Sequence, residues 1–281
     1  MSQSHNATPA CTGLRWSGWS DRGPFRPNNE DAFLGVRFDA RDMHHLGRVG
    51  QAPCGSMDFA FAVSDGMGGA KAGEYASRIT TEKIALLLPR SFQQSAAGLE
   101  AGFADVLEEL FDQIHRALAW LGSSYQECAG MEATLSLCWL TPNWLYFGHI
   151  GDSRIYYFPA RENAIKQLSQ DDTHVGWLLR QGQINEREAR CHPRRNVLQK
   201  ALGGSNQFVD PQVGAVGYEA GDFFLLCTDG LVEGLHDQHL AEVMRAPASA
   251  GEEESVARRL VEASLAQGAR DNVTALVIEA V

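Results

Sequence analysis

Four aspartates stand where apolar runs stop or start. Asp65 follows FAFAV as Ser64-Asp65-Gly66, and Asp152 follows YFGHI as Gly151-Asp152-Ser153. Asp229 follows FFLLC as Thr228-Asp229-Gly230, and Asp271 leads into the run VTALVI as Asp271-Asn272. Carboxylates gathered in a partly buried place repel one another and resist desolvation unless cations offset them. Glycine beside three of them lets backbone approach closely and leaves a carbonyl oxygen free. An all-oxygen set of this kind suits hard ions such as Mg²⁺ and Mn²⁺ rather than zinc. Asp-Gly is also a common turn dipeptide, so spacing alone leaves a metal site and a set of plain turns both open. Upstream, Arg26-Pro-Asn-Asn-Glu30-Asp31 sets a guanidinium beside two acids. Such a cluster is either a surface ion pair or, next to a divalent metal, a planar clamp for phosphate oxygens.

The elements that must position these residues read as strands and two helices. Residues 59–63 form a short buried strand, and Leu135, Leu137 and Trp139 alternate with Ser136 and Cys138 at period two. Thr141-Pro142-Asn143 then turns the chain into residues 144–147, a hairpin signal. Residues 155–158, 223–227 and 273–278 complete the strands. Ala76, Ile79, Ile84 and Leu87 make an apolar stripe over 73–88, with Pro89 as the expected stop. A stronger stripe over 99–121 carries Leu99, Phe103, Val106, Leu107, Leu110, Ile114 and Leu118. Strands follow one another in hairpins and the helices come as a consecutive pair, which predicts an α+β fold with antiparallel sheets rather than a doubly wound parallel sheet.

The 281 residues favour one large core. Residues 1–14 are polar and turn-rich and are expected to form a flexible leader, with a single domain over 15–281. A formal net charge of -11 argues against nucleic-acid and acidic-membrane binding, both of which need a basic field. The six cysteines are scattered without C-x-x-C spacing and are read as reduced thiols of a cytoplasmic protein. No signal peptide is visible, and no apolar run approaches the roughly 20 residues that span a bilayer. Residues 39–56, with His44 and His45, are expected to be a long surface loop.

In order along the chain, RPNNEDAF, VSDGMGG, HIGDSR, LCTDGL and RDNVT resemble the successive motifs of the type 2C family of metal-dependent protein phosphatases, in the style of its bacterial single-domain members. The resemblance runs from about Trp16 to the C-terminus. It implies two packed, mostly antiparallel β-sheets flanked by pairs of helices, an α-β-β-α sandwich. It implies two Mn²⁺ or Mg²⁺ ions bridged by Asp65, with Asp229, Asp271 and the Gly66 carbonyl as further ligands. A third ion would use Asp152 with Asp229. Glu30 and Asp31 would orient metal-bound waters, and Arg26 would hold the phosphate. The implied reaction is hydrolysis of phosphoserine and phosphothreonine in proteins by a hydroxide bridging the metals. The implied partners are phosphoproteins, a cognate Ser/Thr kinase or its substrates, with the phosphatase itself a monomer.

Three departures stand out. Met67 occupies the place of a histidine proposed as general acid in eukaryotic members, and a thioether cannot donate a proton. Glu132-Ala133-Thr134 replaces a usual Gly-Thr-Thr, as a solvent-facing strand end or a changed cleft rim. Asp172 replaces a histidine and is expected to begin a helix over 171–181, where an acid suits the positive end. Residues 182–190 resemble the mobile flap of bacterial members, and Arg194 and Arg195 after it are candidate phosphoprotein contacts. Cys227 is read as packing only. Two other functions remain in competition: a catalytically weak phosphoprotein-binding protein on the same fold, and a two-metal nuclease, against which the acidic balance counts.

Overall fold

The run FAFAV lies in β5 (Asp58–Met67), a central strand whose two faces differ in size. Ala60 and Ala62 face one side and Phe59, Phe61 and Val63 the other. The small face lets a helix approach closely, while the large face fills the space between two sheets. The computed structural model describes residues 11–55, 57–68, 72–96, 102–162, 164–205, 209–246 and 255–281.

β5 is flanked by β2 (Asp31–Phe38) along one edge and by β6 (Glu132–Ala133) and β7 (Leu135–Thr141) along the other. β8 (Trp144–Ile150) and β12 (Gln212–Gly217) extend this sheet beyond β7. The other sheet runs β10 (Lys166–Gln167), β9 (Arg154–Phe158), β13 (Phe223–Cys227), β14 (Val273–Ala280), β1 (Gly13–Asp21) and β4 (Val49–Pro53). Every strand ladder among the described residues is antiparallel.

Trp16, Phe59, Phe61, Leu145, Phe224 and Ile278 are buried between the sheets. Helices α1 (Ala72–Ala96) and α2 (Phe103–Ser124) cover the first sheet, burying Ile84, Leu107, Phe111 and Ile114 with Ala60, Leu137 and Trp139. On the far side α5 (Asp229–Gly234), α6 (Asp237–Arg245) and α7 (Val256–Ala266) bury Leu231, Leu240, Leu260 and Val261 against Tyr156, Leu225 and Val277. The expected α-β-β-α sandwich is what the chain forms, with three helices rather than a pair in one outer layer.

Several expectations change in detail. β1 starts at Gly13, inside the expected leader, because the N–H groups of Thr12 and Gly13 donate to the Val281 carbonyl at 2.7 and 2.9 Å; residues 1–10 lie outside the described residues. α1 continues through Pro89 to Ala96, since a proline removes one backbone donor and interrupts one rung. α2 starts at Phe103, and Leu99 lies outside the described residues. The expected loop over 39–56 contains β3 (Met43–His45), which pairs with β2, and β4, which pairs with β1, so this segment carries the chain from one sheet to the other. Helix α3 (His174–Arg180) begins after Asp172, with the Thr173 hydroxyl capping the Gly176 N–H. α4 (Glu186–Cys191) lies in the expected flap, started by a reciprocal Asn185–Glu188 capping box. Among the described residues no helix is long and apolar enough to cross a membrane.

Candidate active site

The strand ends that carry the acids open on one rim of the sandwich. Antiparallel register places Asp31, first residue of β2, directly opposite Asp65 near the end of β5. Asp229 opens α5 after β13, Asp152 lies between β8 and β9, and Asp271 precedes β14. Burial first, and then the charges of Asp31, Asp229, Asp152 and Asp271, hold the Asp65 carboxyl well above the usual range. Burial and neighbouring Asp229 do the same to Asp152. Burial raises Asp31 to about 7 against the hydrogen bonds it receives, and burial together with Asp271 raises Asp229 to about 6. A partly buried set of acids whose mutual repulsion favours the protonated forms is a set in search of positive charge.

Arg26 supplies part of it. Its guanidinium donates to the Asp271 carboxylate and also lies in the field of Asp65 and Glu30. The loop that carries Arg26 and Glu30 is held by Asn272: its amide nitrogen donates to the carbonyls of Arg22 (2.8 Å) and Asn28 (2.9 Å), and its amide oxygen accepts from Glu30 N–H (2.8 Å). One asparagine therefore fixes Arg26, Glu30 and Asp271 relative to one another. Burial raises the Glu30 carboxyl, against the pull of Arg26.

Asp31 is gripped on one oxygen only. Its Oδ2 accepts from the hydroxyls of Thr228 and Thr274, both at 2.7 Å, while Oδ1 is buried with no protein partner. Such an orphaned oxygen is costly to leave without a hydrogen bond or a cation. Asp65 is set by Thr134, whose hydroxyl accepts the Asp65 N–H at 2.9 Å and bonds Ser153 at 2.7 Å. Glu132 beside it is half-buried, paired across the ladder with Met67 and Gly203. Its carboxylate lies against Gly204, where an added side-chain carbon would stand 2.0 Å from Oε1.

The glycines of VSDGMGG act by close approach. A Cβ on Gly66 would stand 1.9 Å from the Gly73 carbonyl oxygen, and one on Gly73 would stand 2.7 Å from Glu30 Oε1. The start of α1 is thus pressed onto the end of β5.

Residues outside the expected set hold the Asp152 loop. His149 is buried, with Nδ1 2.8 Å from Ser136 Oγ and Nε2 3.1 Å from the Gly151 carbonyl. The carbonyl can only accept, so Nε2 carries the proton and Nδ1 accepts from Ser136. Burial pushes this imidazole down to about 4. Asp172 accepts the Gly151 N–H at 3.1 Å, so it braces this loop instead of capping a helix. Arg154 makes a two-pronged pair with Asp171, Nε to Oδ1 at 2.9 Å and Nη2 to Oδ2 at 2.7 Å. His149 and Arg154 belong to the motif HIGDSR, and Asn272 to RDNVT, so their signal was present in the sequence; Asp172 gave none.

A cavity of about 390 Å³ opens beside this rim, and Asp152, Asp229, Glu233, Leu179, Arg190 and Arg195 are among the residues that line it. Arg195 pairs with Glu233 at 3.3 Å and so ties the segment after α4 to α5. Arg194 is exposed and does not line the cavity. Cys227 is fully buried, and burial raises its thiol to about 12, which suits packing.

Comparison with known proteins agrees with this architecture. A model of the protein phosphatase 2C family matches residues 49–265. The chain belongs to that family. It is 32% identical over 272 residues to the serine/threonine protein phosphatase PstP of Mycobacterium tuberculosis, covering 95% of this chain and 45% of that protein, so it spans about half the length of that relative. It is 28% identical over 261 residues to the serine/threonine phosphatase stp of Listeria monocytogenes, covering 92% and 93%. A crystal structure of the catalytic domain of PstP with two manganese ions superposes with a TM-score of 0.73 at 30% identity, covering 95% of this chain and 98% of that one.

Proposed function

We propose that this chain is a Mn²⁺- or Mg²⁺-dependent protein phosphatase acting on phosphoserine and phosphothreonine. The observation that carries the reading is the meeting, at one rim, of aspartates from separate strand ends with Arg26 as a phosphate-binding cation. The donors fit a hard divalent ion: they are all oxygens, their repulsion calls for positive charge, and Asp31 keeps a buried oxygen without a partner. As placed, no three acidic, histidine or cysteine side chains among the described residues form a group able to hold a metal ion. Asp271 is turned to Arg26, so ligation by Asp271 requires that pair to exchange.

Asp65, Asp229, Asp271 and the Gly66 carbonyl would hold two ions, and Asp152 with Asp229 a third. Bound divalent ions supply an acidified water and positive charge against the phosphate oxygens. Asp31 and Glu30 orient water by accepting its hydrogens. Arg26, about half exposed at the rim, exchanges Asp271 for the phosphate dianion, which its planar fork matches. Positive charge fixed before the reaction offsets the charge that builds on the equatorial oxygens. Met67 donates no proton, so the leaving alkoxide takes its proton from solvent. The substrates are phosphorylated proteins of the cytoplasm, including a cognate kinase or its targets, met by a monomeric domain that takes in β1 from Gly13 onward.

Hydrolysis of a phosphothreonine peptide and of p-nitrophenyl phosphate should require Mn²⁺, stop with EDTA, and fall at least a hundredfold in Asp65→Asn. Full activity in that variant, or equal turnover of a phosphodiester, would sink the assignment.

A further inference from the structure

The sequence scatters its cysteines, but the fold brings two of them together. Cys11 and Cys54 lie 43 positions apart in sequence with their sulfurs 4.0 Å from each other. The neighbouring backbone is paired: Cys54 N–H donates to the Thr12 carbonyl at 3.0 Å, and Gly13 stands opposite Pro53 in the β1–β4 ladder. The two thiols thus lie side by side just beyond the paired ends of β1 and β4, at the edge of one sheet. A disulfide needs its sulfurs at about 2.05 Å with side chains of ordinary length. That distance is reached by rotating a thiol and shifting the bend after β4, where a side-chain carbon on Gly55 would meet nothing within 4 Å.

We propose that Cys11 and Cys54 form an oxidation site, closed to a disulfide by exchange with a low-molecular-weight disulfide such as oxidised glutathione. Cys54 is half-buried and Cys11 buried, so Cys54 is the sulfur that reagents reach first. Its thiolate attacks one sulfur of the reagent, forming a mixed disulfide and expelling one glutathione thiolate. The Cys11 thiolate then attacks the Cys54 sulfur and expels the second. The two protons lost by the cysteines go to the two glutathione thiols, and the reagent takes up the two electrons. Burial and neighbouring Cys11 push the Cys54 thiol up to about 12, so the exchange is slow and makes a staple rather than a fast sensor. The four remaining cysteines lie elsewhere: Cys138 and Cys227 are fully buried in separate strands, Cys128 is half-buried just after α2 against the core under α1 and α2, and Cys191 is exposed on α4. The bond would clamp edge strand β4 to β1. It does so far along β1 from the rim, since β1 runs from Gly13 beside Cys11 toward the loop that carries Arg26. The inference stands or falls independently of the phosphatase reading.

The full chain, reduced and then held with excess oxidised glutathione until thiol loss stops, tests it. Trypsin without reductant should release a cross-linked pair of the peptides 1–15 and 49–71. The thiol count under denaturing conditions, in a Cys191→Ser background that removes the exposed site, should fall from five to three. The melting temperature should rise by roughly 5–10 °C over the reduced form. Cys54→Ser and Cys11→Ser in that background should each keep all four remaining thiols and show no rise, and either one suffices if the other folds poorly. Five free thiols at the end point, or glutathione mixed disulfides without the 1–15/49–71 cross-link, would overturn the proposal.

Discussion

His149 gives a prediction whose magnitude and sign can both be worked out. The imidazole is fully buried and titrates near 4 in the fold, against about 6.5 in the unfolded chain. Between these values the unfolded state binds the proton and the native state does not. The stabilisation is therefore fully present above pH 6.5 and is lost as pH falls toward 4. Linkage gives a loss of roughly 2 kcal/mol between pH 7 and 5, and roughly 3 kcal/mol by pH 4. The clustered aspartates act with the opposite sign, because their raised values favour the fold on acidification. The His149 contribution must therefore be isolated by difference. His149→Gln, neutral at every pH, should cost about 1–3 kcal/mol at pH 7 through imperfectly replaced hydrogen bonds to Ser136 and Gly151. Urea unfolding of both proteins in EDTA at pH 7, 6 and 5 supplies the curves. The gap between them should shrink by roughly 2 kcal/mol over that range. Parallel stability curves would show that His149 takes up its proton as readily in the fold as in the unfolded chain, refuting its lowered titration.

Gly66→Ala should destabilise by about 1–3 kcal/mol or more and lower Mn²⁺-dependent turnover strongly, because the new carbon meets the Gly73 backbone; Gly55→Ala, with open space, should change neither by denaturant titration or assay. Asp172→Ala should cost about 1–2 kcal/mol by urea unfolding, since it leaves the buried Gly151 N–H without its acceptor, and Asp172→Asn should restore most of it. Glu233→Ala removes the acceptor of both Arg195 and the Arg270 N–H, next to Asp271. It should raise the KM for a phosphopeptide several-fold while leaving KM for p-nitrophenyl phosphate nearly unchanged, measured in steady-state kinetics.

How much of this was legible beforehand depended on the range of the cause. Period-two alternation and the α2 stripe are local patterns, and they gave the strands and the helix to within a few residues. The segment 39–56 reads as a loop because β4 pairs with β1, far back in sequence, and β3 is only three residues folded back on β2, and neither carries strand alternation. Asp172 reads as the start of the nearest helix, but its carboxylate accepts from Gly151 N–H, 21 residues back on another connection, and from the Gln212 amide. The strand-end aspartates were visible, yet nothing in the sequence indicated that Asp271 would be held by Arg26 or that Asp31 would satisfy only one oxygen. Hydrogen-bond direction is a property of the assembled site.

That assembly explains why the acids can be there at all. Isolated, each buried carboxylate would favour unfolding at neutral pH, since its raised value means the native state holds the charge poorly. The fold places them only at strand termini, where ladders end and backbone N–H groups and hydroxyls are left over. Thr228 and Thr274 from facing strands take one oxygen of Asp31, and Thr134 fixes the backbone of Asp65. Each brace positions a carboxylate without neutralising it. The electrostatic cost thus stays stored at the rim, and the hydrophobic layers on both sides of the sheets must offset it. A site built this way gains the most from cations, because binding relieves the repulsion that the scaffold was arranged to maintain. Replacing Asp65 by asparagine should consequently abolish turnover and yet raise the stability of the metal-free protein, a pairing of effects that a purely structural aspartate would not produce.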